Sequence, residues 1–346
     1  MMKNVLLIGG AGYIGSHMVL VLQEAGYSVV VLDNLSRGFA DAVVSAPLVV
    51  GDLRSSFDLD ACFSARHYDL VMHFAAHAYV TESVSDPELY YQNNVVGSLN
   101  LLAAMHKHAV PRLVFSSSCA TYGEPENVPI TETHPQHPIN PYGCTKLMIE
   151  QALADYAMAY DIQSVSLRYF NAAGCDPQGR VGERHNPETH LIPLVLAEAL
   201  RVKQGGDPTA TTLKVYGIDF PTPDGSCVRD YIHVSDLCHA HLRAAERLLS
   251  GQSQGAECYN LANGSGFSVL DVIAAGREVT EQPIMYQEAP RRAGDPAVLV
   301  GDARKALAVL GWQPEITGLR EVIGTAWRWM LRKGNVTVSV GSEGAK

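Results

Sequence analysis

The chain has 346 residues, of which 47% are hydrophobic and 18% charged, with a formal net charge of −10. That composition is globular, long enough for one large or two modest domains, and it excludes a disordered chain. An acidic balance without a Lys/Arg cluster excludes nucleic acid and an anionic membrane surface as partners, no apolar run is long enough to span a membrane, and seven cysteines without a C-x-x-C pair predict reduced thiols and a cytoplasmic protein with no signal peptide.

From the N-terminus, the apolar run 4–8 feeds glycines at 9, 12 and 15 and reads as a buried parallel strand entering a tight turn. Residues 16–25 then read as a helix stopped by Gly26. The spacing of Gly9, Gly12 and Gly15 answers three needs: unusual dihedrals in the turn, a backbone that can approach a pyrophosphate, and close contact between helix and strand. Amides at the helix start face the phosphates. The next strand, 27–33, ends in Asp33, about 20 positions beyond the glycines, where an acid binds adenosine ribose hydroxyls. Asp33 repels a 2′-phosphate and favours NAD over NADP, with Arg37 nearby acting against that preference.

Further strands are expected at 47–50, ending at Gly51 and Asp52; at 69–74, ending at Ala75 and Ala76; at 112–115; and at 164–168, with a long helix over 87–108. The alternation predicts an α/β fold built on a doubly wound, Rossmann-like parallel sheet. Ligands sit at the carboxyl ends of such strands, and those ends carry Gly9, Asp33, Asp52, Ala75, residues 116–118 and Asn171. After about Gly174, Gly, Pro and polar residues thicken at 176–187 and 205–225, predicting a smaller, mixed C-terminal domain. The expected division is a dinucleotide-binding domain at 1–175, completed by part of 228–262, and a substrate domain at 176–346. Residues from 334 onward lack helical periodicity and read as a loose tail.

Between these elements stands Tyr142-Gly-Cys-Thr-Lys146, preceded by the hydroxyl-rich strand end Ser116-Ser-Ser118. Tyr-x-x-x-Lys places phenol and ammonium one turn apart on one helix face. A phenol titrates near ~10 and is a poor base at neutral pH; an adjacent cation is expected to lower that value, giving a base for a sugar or alcohol hydroxyl.

Several blocks together resemble the extended short-chain dehydrogenase/reductase family, and within it the UDP-galactose 4-epimerases, over nearly the whole length: Gly9-Gly-Ala-Gly-Tyr-Ile-Gly-Ser-His17, Asp33-Asn-Leu35, Tyr91-Gln-Asn-Asn-Val95, Phe115-Ser-Ser-Ser118, Pro141-Tyr-Gly143, Arg168-Tyr-Phe-Asn171, Val228-Arg-Asp-Tyr-Ile-His233 and Arg291-Arg-Ala-Gly-Asp295. The resemblance implies Tyr142 as base, Lys146 as its partner on the nicotinamide ribose, and Ser118 sharing the substrate hydroxyl. It implies NAD held by Gly9, Gly12, Tyr13, Ile14 and Gly15 along the pyrophosphate, Asp33 and Asn34 at the ribose, and Asp52 and Leu53 at adenine. Phe74, Ala75, Ala76, Asn94, Ser116 and Tyr169 are implied to line the cofactor as well. For a UDP-sugar it implies Asn171, His190, Leu191, Arg229 and Arg292, with Lys214, Val215 and Tyr216 around uracil, Asp295 at the uridine ribose, and Leu299 at the position that selects the sugar. Arg229 and Arg292 suit a pyrophosphate by paired hydrogen bonds, against the plainer reading of ion pairs with Asp230 or Asp295.

The implied reaction interconverts UDP-glucose and UDP-galactose through a transient 4-ketone, with NAD retained through turnover in a homodimer that pairs helices over 87–108 and 142–160. Ala78 stands where some relatives carry a lysine near the cofactor. Leu299 is intermediate in size, so N-acetylated or pentose UDP-sugars are the alternative substrates. A dehydratase or decarboxylase would need an acid just after the hydroxyl residue, where Cys119-Ala120 stands; a non-catalytic dinucleotide binder would need no Ser118, Tyr142 or Lys146. Other features read as packing or solvent contacts. His185, Glu188 and His190 suggest a metal, but Pro187 breaks any helix that would align them, so no metal is expected. Cys119 and Cys144 flank the site as packing thiols that a reagent could block, His106 and His108 close a helix facing solvent, and Trp312, Trp327 and Trp329 read as core or interface.

Overall fold

In the computed structural model, which describes residues 2–292 and 294–333, the first strand is Asn4–Ile8 and it lies inside a seven-stranded parallel sheet. Its neighbours are Ser28–Asp33 on one side and Leu70–His73 on the other. Leu48–Val50 closes the first edge; Arg112–Ser116, Gln163–Tyr169 and Ala256–Leu261 extend the second. Chain order therefore reverses between Asn4–Ile8 and Leu70–His73, and the crevice outside the carboxyl ends of those two strands is where such a sheet binds ligands.

Alternation along Asn4–Ile8 explains both faces. Val5 and Leu7 enter one core with Met18, Val19 and Leu22 of helix Tyr13–Glu24 and Leu237, Cys238 and Ala244 of helix Val234–Leu249. Leu6 and Ile8 enter the other with Leu59 and Phe63, Leu101 and Met105, and Ile149 and Leu153, from helices Ser56–Ala65, Gly97–Lys107 and Pro141–Tyr160. The expected strands and helices thus hold, with ends moved by one to three residues. One element differs: the expected helix over 87–108 has a π-helical stretch, Tyr91–Val96, between Pro87–Tyr90 and Gly97–Lys107. Such widened turns gather at functional sites, and this one carries Asn94.

Beyond the large sheet, Val228–His233 is the centre of a small one, pairing with Asn171–Ala173, Gly266–Ser268 and Val298–Leu299. Lys214–Tyr216 pairs with Gln287–Ala289. A third core gathers Ile192, Val195, Val272, Ile273, Val322 and Trp327 from helices Leu191–Lys203, Val269–Thr280 and Leu319–Lys333. Trp312 is core, donating its indole N–H to the Asp236 carbonyl at 2.9 Å. Among the described residues no helix is long and apolar enough to cross a membrane. The expected tail from 334 lies outside the described residues.

Candidate active site

Helix Pro141–Tyr160 starts where Asn140 accepts the Gly143 N–H at 2.8 Å and Pro141 fills the first turn, so Tyr142 and Lys146 point into the protein with 9% and 3% exposure. Lys146 Nζ donates to the Ser116 carbonyl at 2.7 Å, 4.8 Å from the Phe115 ring centre and 5.8 Å from that of Tyr142. The Ser118 hydroxyl beside the Tyr142 phenol favours its ionised form, and it accepts the Ala120 N–H at 3.1 Å. Ser116 and Tyr169 join hydroxyls at 2.7 Å. Five expected residues thus meet at one strand end.

Burial governs their charge. It pushes the Tyr142 phenol well above its usual range, and Tyr169 adds to the rise. It lowers Lys146 to about 7 against the opposing pull of Glu150. The expectation that a neighbouring cation lowers Tyr142 is corrected: the ammonium donates to the Ser116 carbonyl, and desolvation lifts the phenol.

Beneath this group lies a pair that sequence reasoning missed. Arg168 binds Glu150 at 2.5 Å with side chains 5% and 9% exposed, Ser117 donates to Glu150 at 2.5 Å, and Arg168 reaches the Tyr122 hydroxyl at 2.9 Å. The pair ties the 116–118 strand end to the helix carrying Tyr142. Its signal was available: Glu150 is one turn beyond Lys146, and Arg168 opens the block ending at Asn171.

The glycine turn opens onto a cleft lined by Gly9, Gly12, Asp33, Asn34, Asp52, Leu53, Phe74, Ala75 and Ala76. Gly9 has φ +80°, and a Cβ there would lie 2.5 Å from the Ala75 nitrogen; one on Gly15 would lie 2.2 Å from the Gly9 oxygen. Only hydrogen fits where a pyrophosphate must come close. Asp33 accepts the Ala11 and Leu35 N–H groups at 2.9 and 2.8 Å, which aims its carboxylate into the cleft mouth. Arg37 pairs with Glu82 at 2.5 Å and lies over the Tyr79 ring, so its charge is drawn away from Asp33. Asp52 is clasped by Arg54 at 2.7 Å and by Asn34 at 3.1 Å. Cleft, glycines and acid fit a dinucleotide.

Three expected cofactor residues act differently. Tyr13 turns its phenol to the Gly174 carbonyl at 2.5 Å, so it offers the cleft backbone rather than hydroxyl. Ile14 packs toward the core, its carbonyl taking the Cys238 thiol. Asn94 is buried, accepting the His77 N–H at 2.9 Å and donating to the His77 carbonyl and Thr145 at 3.1 Å each. It fastens the 75–77 wall to helix Pro141–Tyr160, an amide pairing that spacing does not reveal.

On the sugar side, Leu299 packs with Cys119 against Tyr122, Ile130, Phe170 and Ala262. Asn171 donates to the Asp230 carbonyl at 3.1 Å. Arg229 donates to the Val228 and Pro296 carbonyls and stands 3.6 Å from Asp295, so the plainer ion-pair reading holds for it with Asp295. Asp230 instead accepts the Asn263, Gly264 and Gly301 N–H groups. Arg292 lies 4.0 Å over the Tyr216 ring. Lys214 is exposed, but Val215 is 1% exposed in the third core and offers only backbone. Burial pushes the Cys119 thiol up to about 12, a packing thiol rather than a reactive one. Ala78, exposed, brings no charge to the cleft. His106 is exposed against Tyr160, whereas His108 bonds Asp60 at 2.7 Å.

Leu191 opens helix Leu191–Lys203, and His190 caps it. The loop before it holds a cluster that the broken helix had seemed to forbid: Glu183, His185, Glu188 and His190 bring one donor atom each within 4.8 Å of the others. Burial pushes the Glu183 carboxyl up. Burial also opposes charge on Glu188, but bonds from His185 and His190 outweigh it and hold that carboxyl low.

Residues 5–262 match the model of a family described as the NAD dependent epimerase/dehydratase family. A UDP-glucose 4-epimerase of Halalkalibacterium halodurans is 49% identical over 94% of this chain and 95% of its own length. A UDP-glucose 4-epimerase from Brucella ovis, solved in complex with NAD, superposes with a TM-score of 0.88 at 45% identity, covering 94% of this chain and 98% of that one. One from Bifidobacterium longum, in complex with NAD+ and UDP, superposes with a TM-score of 0.88 at 36% identity, covering 95% and 98%.

Proposed function

As the chain belongs to the NAD dependent epimerase/dehydratase family, we propose that it is an NAD-dependent 4-epimerase interconverting UDP-glucose and UDP-galactose. The observation that carries this reading is the meeting of Ser118, Tyr142 and Lys146 at one strand end of a parallel sheet whose glycine turn fits a dinucleotide, in a chain nearly half identical to 4-epimerases. NAD held in this cleft would supply a reversible hydride acceptor for sugar C4, leaving a net redox change of zero.

The chain's own residues supply the rest. Tyr142 takes the C4 hydroxyl proton, with Ser118, whose hydroxyl stands beside the phenol, sharing that hydroxyl. Since burial favours the protonated phenol, a positive charge in the cleft, which oxidised NAD would bring, would favour the phenolate of Tyr142. Lys146 fixes the Ser116 strand end and would hold the nicotinamide ribose. Arg292 and Tyr216 grip the UDP part while the ketone turns over, beside Asp295, which faces Arg229. Leu299 and Cys119 leave a leucine-sized wall at the sugar, which suits unsubstituted hexoses. In this reading residues 1–175, with strand Ala256–Leu261, hold NAD and the remainder holds the nucleotide sugar.

A cytoplasmic homodimer belongs to the same proposal. Helices Gly97–Lys107 and Pro141–Tyr160 are neighbours, and Leu99 and Met148 on them are 39% and 45% exposed, an apolar surface for a second copy. The test of function is incubation of purified protein with UDP-galactose and no added nucleotide. The expected outcome is steady conversion to UDP-glucose, with NAD released on denaturation. Product that forms only when NAD is supplied, or no UDP-glucose at all, contradicts the proposal.

A further inference from the structure

Glu183, His185 and Glu188 are given no part in the reaction proposed above, and their geometry with His190, which the resemblance sets at the UDP-sugar, asks for its own explanation. Glu183 Oε1 lies 3.5 Å from His185 Nδ1 and 3.2 Å from His190 Nδ1. Glu188 reaches the same two nitrogens through different oxygens, Oε2 to His185 at 3.2 Å and Oε1 to His190 at 3.0 Å. Four ligands bonded tetrahedrally at about 2.0–2.1 Å stand about 3.3–3.4 Å apart along each edge. With one Glu188 oxygen as ligand, the carboxylate–imidazole edges of 3.0–3.5 Å bracket that length, and all four donor atoms lie within 4.8 Å of one another.

Burial adds to this. Glu183 and Glu188 are 4% and 6% exposed, and among the described residues neither pairs with a lysine or arginine. Their partners are the two imidazoles, and a dication would displace the protons this group shares and bind all four donors at once.

The surroundings are those of a set of ligands already aimed. Glu188 Oε1 accepts the Thr189 and His190 N–H groups at 2.9 Å each. The Glu183 N–H bonds Cys175 Sγ at 3.4 Å. Such outer contacts orient ligating groups.

We propose that Glu183, His185, Glu188 and His190 form a closed, four-ligand site for a divalent transition metal, zinc by its two nitrogen and two oxygen donors. With no position left for water or substrate, the metal is structural. It fastens the 183–190 loop at the start of helix Leu191–Lys203, and through it two aromatic rings beside the cofactor cleft. Tyr79 bonds the Pro187 carbonyl at 3.0 Å, and Tyr13 packs its ring against His185.

The test reads metal and stability rather than turnover. Protein purified with zinc chloride present and then desalted is assayed for metal by mass spectrometry. Its thermal midpoint is measured as prepared, after stripping with a chelator, and after zinc chloride alone is returned. About one zinc per chain is expected, with a midpoint that falls on stripping and recovers with zinc. The E183Q/H185Q variant should lose zinc roughly tenfold or more; if it does not fold, the wild-type readings decide. Protein without zinc whose midpoint ignores added zinc overturns the site, as does a folded variant that keeps full stoichiometry.

Discussion

At the scale of single residues, the central fact is a phenol and an amine whose charges are both set by burial. Tyr142 is driven toward its protonated form and Lys146 is lowered to about 7. A Tyr142→Phe variant keeps ring and packing and removes the proton acceptor. Its steady-state turnover should fall by about 10²–10⁴-fold while NAD stays bound; near-normal turnover would reject Tyr142 as the base. The positions of Tyr142, Lys146 and Ser118 were legible because a helix converts a spacing of four into a shared face. Their protonation was not, since it depends on how completely the strand end 116–118 and helix Pro141–Tyr160 exclude water. The roles of Asn94 and Val215 were hidden for a related reason. A residue's place in a motif does not say whether its side chain faces a ligand or its own backbone.

At the scale of elements, the sheet was readable because its buried strands are short apolar runs alternating with helical segments. Gly9 and Gly15 were readable because their spacing follows from steric necessity, now visible as the 2.5 and 2.2 Å approaches that a Cβ would make. The π-helical stretch Tyr91–Val96 was not readable, because apolar periodicity barely separates one widened turn from a continuous helix. Nor was the gathering of Glu183, His185, Glu188 and His190. A helix is the simplest way to align ligands, and Pro187 rules it out, but a loop pinned by its own N–H groups aligns them as well.

At the scale of the whole molecule, buried histidines tie stability to pH. His17, His233 and His241 are held down to about 4 and His73 to about 3, burial being the largest cause each time, against an ordinary value of 6.5. The unfolded chain takes up protons between pH about 6.5 and 4 that the native state refuses, so stability falls as pH falls through that window. A shift of this size is worth about 3 kcal/mol per residue once fully expressed. The thermal midpoint should therefore hold near neutral pH and drop steeply below about 6; an equal midpoint at pH 7.5 and pH 5 would contradict this. The same enclosed architecture is what lets a hydrogen leave a carbon and come back without meeting solvent. The measurement that tests this most directly uses UDP-galactose carrying deuterium at C4. The UDP-glucose formed should keep the deuterium at C4 in ordinary water; its replacement by solvent hydrogen would contradict the account.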